Sequence, residues 1–475
     1  MTAGRLVFDL SSAARWSGPP VGIVRVQREL GQWARRRRPD AVFAIYDPRS
    51  LTYRALSEPL VDAFLAGTAS LNAWGLPEPT GRRKRRSAWV PRPLYDAWQI
   101  RRTLLRVLER VRLQSPRPWA VRAADWVQRR LITRRYASSM INPDGSRRPF
   151  LAPDEVFGPP IAFAPGDVLV CTGNGWSHNN IAVIEALKAK VGLRLAVVCF
   201  DLIPLQFPRF FKTRDVDDLR RYWLAALGVA DLIVVNSTAV ARDAAALAAA
   251  EGLTLGRLAL CPLGADPATL RSGPDAPLPA PLEAGRYGLF VSTIEPRKGH
   301  EMLLKVWLRL LADGVPQKAG FKLVFLGRRG WLMEGFEAAL RDTPAVTGSL
   351  IILPQADDVL LDLLYRNAAF CLYPSFYEGY GLPVVEAFAR GKAVIASNGG
   401  SLAEVVGDFS PSLDPRDEDV WFETLRRWIV DPSARAPYEA ALRERFRHPS
   451  WEEVGATFYR EVDALAAGPT QAVAG

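Results

Sequence analysis

From Tyr287 onward the chain alternates short apolar runs with stretches of helical period, and this alternation restricts the fold more than any other feature of its 475 residues. Runs such as YGLFVST and FKLVFLG have the length and content of buried strands, whereas HEMLLKVWLRLLA spaces its apolar residues as a helix does. SLIILP, FCLYPS and AVIASN extend the strand series, and FEAALRD, DVLLDLLYRNA and LPVVEAFARG the helix series. Strands that alternate with helices run parallel, because each helix carries the chain back to the starting edge of the sheet. The sequence therefore predicts a doubly wound α/β domain over residues 287–450.

The first half has the same character with less regularity. RLVFDL, a helix from about Ile23 to Arg36, and then DVLVCT, RLAVVCFD and DLIVVNS read as a second Rossmann-like unit over residues 1–270. Residues 271–286, RSGPDAPLPAPLEAG and its neighbour, are rich in Pro, Gly and Ala and read as an exposed linker. Ser450 and Glu453 form a capping-box pattern before an amphipathic stretch, which predicts a last helix over 451–467. With 49% hydrophobic residues, a chain of this length buries two cores rather than one.

The formal charge of +11 is not spread evenly. Between Arg82 and Arg148 about nineteen basic residues stand against about four acidic ones, and the rest of the chain is close to neutral. Residues 81–150 thus read as a basic helical insertion in the first domain. Leu94, Trp98, Leu104, Leu108 and Val111 fall near one face while Arg102, Arg106 and Arg110 recur every fourth position. Such a helix suits an anionic membrane surface, and the alternative is an arginine face solvated over the protein's own core.

Cys171, Cys199, Cys261 and Cys371 each lie in an apolar run, so free buried thiols and a reducing compartment are expected. No C-x-x-C pair occurs, and three histidines leave little for metal chemistry. The N-terminus shows no signal-like region and no apolar stretch is long enough to span a bilayer, so the expectation is a cytoplasmic protein that is neither exported nor anchored by a span.

The strongest local signal is PSFYEGYGLPVVEAFARG, residues 374–391, in which Glu378 and Glu386 are seven residues apart. Glycines before a helix leave its first N–H groups open to a sugar or phosphate, and a carboxylate accepts two hydrogen bonds from one diol. In STIEPRKGHEMLL, residues 292–304, Arg297 and Lys298 follow a strand end and would stabilise charge developing on a departing diphosphate.

The 374–391 segment resembles the family-four glycosyltransferases of the GT-B fold, whose E-x7-E motif and surrounding glycines match it almost residue for residue. The resemblance covers about Phe290 to Glu404 well and the first domain at scattered points. It implies two Rossmann-like domains facing across a cleft and retaining transfer from a nucleotide sugar. By it Glu378 contacts the donor sugar, the amides of Gly379, Tyr380, Gly381 and Leu382 lie against that sugar, and Glu386 binds the ribose. It also gives Arg297 and Lys298 to the diphosphate; where many members carry a further Arg, this chain has Thr293.

Many members have His-Asp where this chain has Phe200 and Asp201, which leaves the acceptor-side contact to Asp201 or to His178 in the GNGWSHNN loop. The glycines of GPPVGIVRVQREL resemble a loop that in the family lies beside acceptor and diphosphate, which puts Asp9, Gly22 and Arg25 on the acceptor side. Retention by front-face attack needs no protein nucleophile, no metal and no cofactor. The EPRK, GNGW and FDLIP segments are most similar to bacterial enzymes that build O-antigen, capsule or exopolysaccharide on a lipid carrier, with the donor leaning to GDP-mannose. The expected partners are a nucleotide sugar, a lipid-linked saccharide acceptor and the anionic inner-membrane surface, with no nucleic acid. A nucleic-acid-binding protein using the basic segment, or a degenerate transferase serving as a non-catalytic partner, is the alternative.

Overall fold

The computed structural model describes residues 4–16, 22–71, 117–131, 139–141, 147–151, 153–265 and 277–467, with single positions between 104 and 115. Two α/β domains face each other. The first is built on β1 (Leu6–Asp9), β2 (Val42–Asp47), β3 (Thr52–Ala55), β7 (Val168–Cys171), β8 (Arg194–Cys199), β9 (Leu232–Val235) and β10 (Arg257–Leu260). Their order across the sheet is β10-β9-β8-β7-β1-β2-β3. A small second sheet joins β4 (Ser70–Leu71), β6 (Arg147–Leu151) and β5 (Ser139–Ile141) in that order. The second domain carries β11 (Tyr287–Val291), β12 (Lys322–Leu326), β13 (Leu350–Leu353), β14 (Phe370–Tyr373), β15 (Val394–Ser397) and β16 (Ser412–Leu413), ordered β13-β12-β11-β14-β15-β16.

Every pair in the second sheet is parallel, and β1, β7, β8, β9 and most of β11 are buried residue by residue. Helices cover both faces, so the strands read as unbroken apolar runs without in-out alternation. The first sheet departs from the expected parallel order at its edge, where β3 pairs antiparallel with β2. Only Pro48 to Leu51 separate the two strands, too few residues for a helical crossover, so the chain must turn straight back. The Arg49 and Ser50 side chains tie that turn to Asp47.

The five strands expected in the second domain appear where the apolar runs placed them, and the helix expected from HEMLLKVWLRLLA spans His300–Ala312. One segment differs from expectation, and the last helix, found at its expected bounds, packs where chain order does not suggest. The part of the 271–286 linker that is described is not simply exposed: Leu282 is buried in the second core and Leu278 packs against it. The Trp451–Ala467 helix follows the second domain in sequence yet packs on the first, where Trp451, Val454, Phe458, Tyr459 and Val462 join Leu6, Phe8, Val26 and Leu30 in one cluster. Trp33 stacks on Tyr459 at 4.9 Å, and the Tyr459 hydroxyl donates to the Leu30 carbonyl at 3.0 Å.

The chain thus crosses between domains twice, and the crossings touch: Ala265 N donates to Pro449 O at 3.2 Å, and His448 Nε2 lies 2.6 Å from Leu263 O. All four cysteines are buried and unbridged. Of the basic segment, Arg82 to Arg102, Arg106 and Arg110 lie outside the described residues. Within it the Pro118–Leu131 helix is seen, with Trp119 and Trp126 63% and 58% exposed.

Candidate active site between the domains

The C-terminal ends of the parallel strands face the cleft, where doubly wound sheets bind ligands. In the second domain two loops meet there. The first leaves β11 and turns through Pro296–Lys298 into the His300–Ala312 helix; the second leaves β14 and turns through residues 374–381 into the Leu382–Phe388 helix. The backbones are tied together, since Phe376 N donates to Arg297 O at 2.8 Å. Gly399 and Ser401, after β15, hold the second loop from behind: Glu378 N donates to Gly399 O, and Ser401 N and Oγ both donate to Glu378 O at 3.0 Å. Gly381 caps the Leu382–Phe388 helix at φ 103°, a left-handed conformation that glycine adopts without strain.

These loops bring Glu378, Arg297 and Lys298 together. Lys298 Nζ lies 2.5 Å from Glu378 Oε1, and Arg297 Nη1 lies 3.0 Å from Oε2. Arg297 also reaches Glu295 Oε1 at 2.8 Å and Tyr377 O at 2.5 Å, and Lys298 donates to the Tyr373 hydroxyl at 3.3 Å. Burial by itself would raise the Glu378 carboxyl, but the two cations beside it hold it down at about 2. Burial pushes Glu295 up against the pull of Arg297 and Lys298, and it pulls the Lys298 ammonium down.

Asp201 joins this cluster from the first domain. A Cβ on Gly379 would meet the Phe200 carbonyl at 2.2 Å and the Asp201 Cβ at 2.8 Å, so the glycine lets the two domains approach. Burial raises the Asp201 carboxyl, while the nearby Arg297 pulls it back. Thr293 sits half-buried at the start of the basic loop.

Glu386 lies on the Leu382–Phe388 helix and faces a different set. Its Oε1 accepts from Arg25 Nη1 at 2.9 Å across the cleft, and its Oε2 accepts from the Tyr365 hydroxyl at 3.2 Å. The sequence put Arg25 on the acceptor side; the structure places it on Glu386. Gly22 caps the Arg25 helix at φ 53°. The backbone of Tyr380 lies in the loop, but its side chain leaves the cleft: the hydroxyl donates to Leu263 O at 3.2 Å in the crossing between domains. Leu382 packs against the first-domain core.

Asp9 and His178 form a separate group at the end of β1, away from Glu378. Asp9 is fully buried, accepting from Ser11 N at 2.9 Å and from Asn179 Nδ2 at 2.9 Å, and burial raises its carboxyl. His178 Nδ1 lies 2.9 Å from Ser12 Oγ, and burial, with Arg15 nearby, drives the ring down to about 3, so it is neutral. Gln27 and Ser12 knit this group together, the Gln27 amide donating to Asp9 O at 2.8 Å. Sequence reasoning missed Glu295, Tyr365 and Tyr373. Glu295 stands two residues before Arg297 and was open to detection; the tyrosines read only as core residues of a helix and a strand.

A cleft between two Rossmann-like domains, with two glutamates on one loop-helix unit and cations on the adjoining loop, defines the GT-B class of two-domain α/β protein. Residues 281–446 match the family described as Glycosyl transferases group 1. The chain carries a group 1 glycosyltransferase domain. It is 35% identical over 170 residues to the O-antigen chain mannosyltransferase B of Escherichia coli, covering 35% of this chain and 42% of that one. It is 28% identical over 313 residues to the serotype-specific mannosyltransferase WbdA of Escherichia coli, covering 62% of this chain and 36% of that one. The chain thus spans less than half the length of each of these two relatives. Among solved structures, sucrose-phosphate synthase from Thermosynechococcus elongatus aligns over 97% of this chain and 99% of its own, with a TM-score of 0.53 and 17% identity. Anabaena HepE in complex with UDP-glucose aligns over 98% and 100%, with a TM-score of 0.53 and 12% identity. Both share the two-domain fold.

Proposed function

We propose that this protein transfers a hexosyl unit from a nucleotide sugar to a lipid-linked saccharide acceptor, with retention and without a metal ion, in the assembly of a bacterial surface polysaccharide. Mannose is the sugar favoured by the names of the Escherichia coli relatives, and we take GDP-mannose as its donor. The observation that carries the reading is the buried Glu378 carboxylate held between Arg297 and Lys298, opposite Asp201.

In this reading the arriving diphosphate draws Arg297 and Lys298 toward itself, and their charge stabilises the leaving group as the glycosidic bond breaks. Glu378 is thereby freed to accept a hydrogen bond from the sugar. The amides of Gly379 to Leu382, on the turn into the Leu382–Phe388 helix, favour the same negative charge. Glu386 accepts from the ribose diol. Position and electrostatics supply the rate, and the departing phosphate oxygen takes the acceptor proton. The protein works at the cytoplasmic face of the inner membrane, where the exposed Trp119 and Trp126 within the basic segment favour an anionic surface.

Thermal unfolding against a panel of nucleotide sugars tests donor binding and donor identity together. The right donor at a hundred times its Kd adds about 2.7 kcal/mol of stability. Glu386→Ala should weaken that donor by about tenfold, because a ribose diol loses its acceptor. A panel in which no nucleotide sugar shifts the transition would sink the proposal.

A further inference from the structure

Glu386 is held in place from its own domain with unusual redundancy. Tyr365, fully buried, donates to its Oε2. Arg390 donates to its carbonyl at 2.6 Å, lies 4.9 Å from the Tyr365 ring centroid, and is itself anchored by Asp362 at 2.8 Å. This scaffold holds the Glu386 backbone and one carboxylate oxygen from within the second domain. Arg25 nevertheless reaches it from the first turn of the Ile23–Arg37 helix, and the two side chains are 18% and 11% exposed. A pair so shielded is screened little by salt.

We infer that Arg25 is a cross-cleft clasp on the ribose seat: a positioning residue that sets donor affinity by holding Glu386 until a ribose diol replaces it. The inference rests on the proposed function, since it takes Glu386 as the ribose acceptor. Arg25 holds one carboxylate oxygen from across the cleft and Tyr365 the other from within the domain, so a diol that reaches the carboxylate from the cleft competes with the guanidinium for its lone pairs. Donor binding is then weakened by whatever the ion pair contributes, because a ligand's apparent affinity falls with the population of the competent state. The clasp also joins the domains, so its exchange couples donor entry to their separation.

The clasp predicts a gain on mutation, which a residue that binds donor directly never gives. With the tighter-binding of GDP and UDP as probe, Arg25→Ala should bind the nucleotide about fivefold more tightly than the parent by calorimetry. Arg25→Lys should restore part of the parent's weaker binding. The 2′,3′-dideoxy form of the same nucleotide has no diol to exchange, and should bind the parent and Arg25→Ala alike. In a Glu386→Ala background, removing Arg25 should change nothing. A loss of affinity in Arg25→Ala, no change at all, or an equal change for the dideoxy form each overturns the clasp. A loss of equal size for the diol and dideoxy forms would assign Arg25 to the diphosphate instead. If neither nucleotide binds the parent, the proposed function itself fails; nucleotide binding with an inert Arg25→Ala removes only the clasp.

Discussion

Lys298 holds its charge where little water screens it, 2.5 Å from Glu378 and 11% exposed. An attraction of this kind matters most when a neighbouring group gains negative charge, so its loss should fall on the chemical step. Lys298→Ala should lower kcat by about a hundredfold while the nucleotide Kd changes far less, and Lys298→Arg should recover part of the rate. Single-turnover kinetics beside calorimetry read the two apart; equal rates in mutant and parent would remove Lys298 from the site.

A second residue-scale effect concerns acid stability. Burial drives the His300 imidazole down to about 3, and the ring stacks on Phe290 at 4.5 Å. An unfolded histidine takes a proton near pH 6.5, whereas the folded one stays neutral. Stability is therefore full above about pH 6.5 and falls as the pH drops toward about 3, by about 1.4 kcal/mol per pH unit for one such ring. His300→Phe keeps the stacking and abolishes the proton uptake, so its urea-unfolding free energy between pH 6 and 5 should fall less steeply by that amount. Identical slopes would show that His300 does not govern the loss.

At the scale of elements, the Trp451–Ala467 helix ties sequence order to the wrong domain. Its cap is local and legible: Ser450 Oγ accepts from Glu453 N at 3.3 Å, and the Glu453 carboxylate accepts from Ser450 N at 2.8 Å. Its amphipathic spacing shows that it buries a face. Nothing in the spacing says which core that face covers. Phe458→Ala should cost about 3–5 kcal/mol and destabilise the first domain, although residue 458 follows the second in sequence. Hydrogen exchange that opens the second domain first would refute this. The E-x7-E segment and the EPRK loop were legible for the same reason as the cap, because each is a strand-turn-helix unit whose chemistry lies within one stretch of chain. Tyr365 was not, because a tyrosine in the DVLLDLLYRNA pattern is indistinguishable from a core residue until the Leu382–Phe388 helix is laid against it.

Across the whole molecule, the domains meet through a small set of polar and aromatic contacts around the cleft. Ser237 Oγ donates to Gly379 O at 2.9 Å, and the Tyr377 hydroxyl donates to Asp243 at 2.8 Å. Phe207 and Phe210 pack on Tyr377 and Phe376 at 5.0 and 5.4 Å. Among the described residues no helix is long and apolar enough to cross a membrane. The proposed function assigns surface attachment to the basic segment, whose Arg102, Arg106 and Arg110 lie outside the described residues. Each contributes on the order of 1 kcal/mol at an anionic surface, so neutralising all three should cut binding to acidic liposomes by about a hundredfold and spare activity on a short soluble acceptor. Co-sedimentation with acidic and neutral liposomes, repeated at high salt, decides it: a parent protein that stays in the supernatant with acidic liposomes refutes membrane docking.

The sequence by itself determined the two α/β domains, the parallel second sheet and the pairing of glutamates with a glycine turn, because strand periodicity, helix caps and loop chemistry act over a few residues. It also placed Arg297 and Lys298 on the loop that leaves a strand end for a helix. Tertiary structure alone decided that Glu378 takes up both cations, that Arg25 crosses the cleft to Glu386, and that the last helix returns to the first domain. Each of these joins segments far apart in the chain, and only the packing of one domain on the other sets the distance between them.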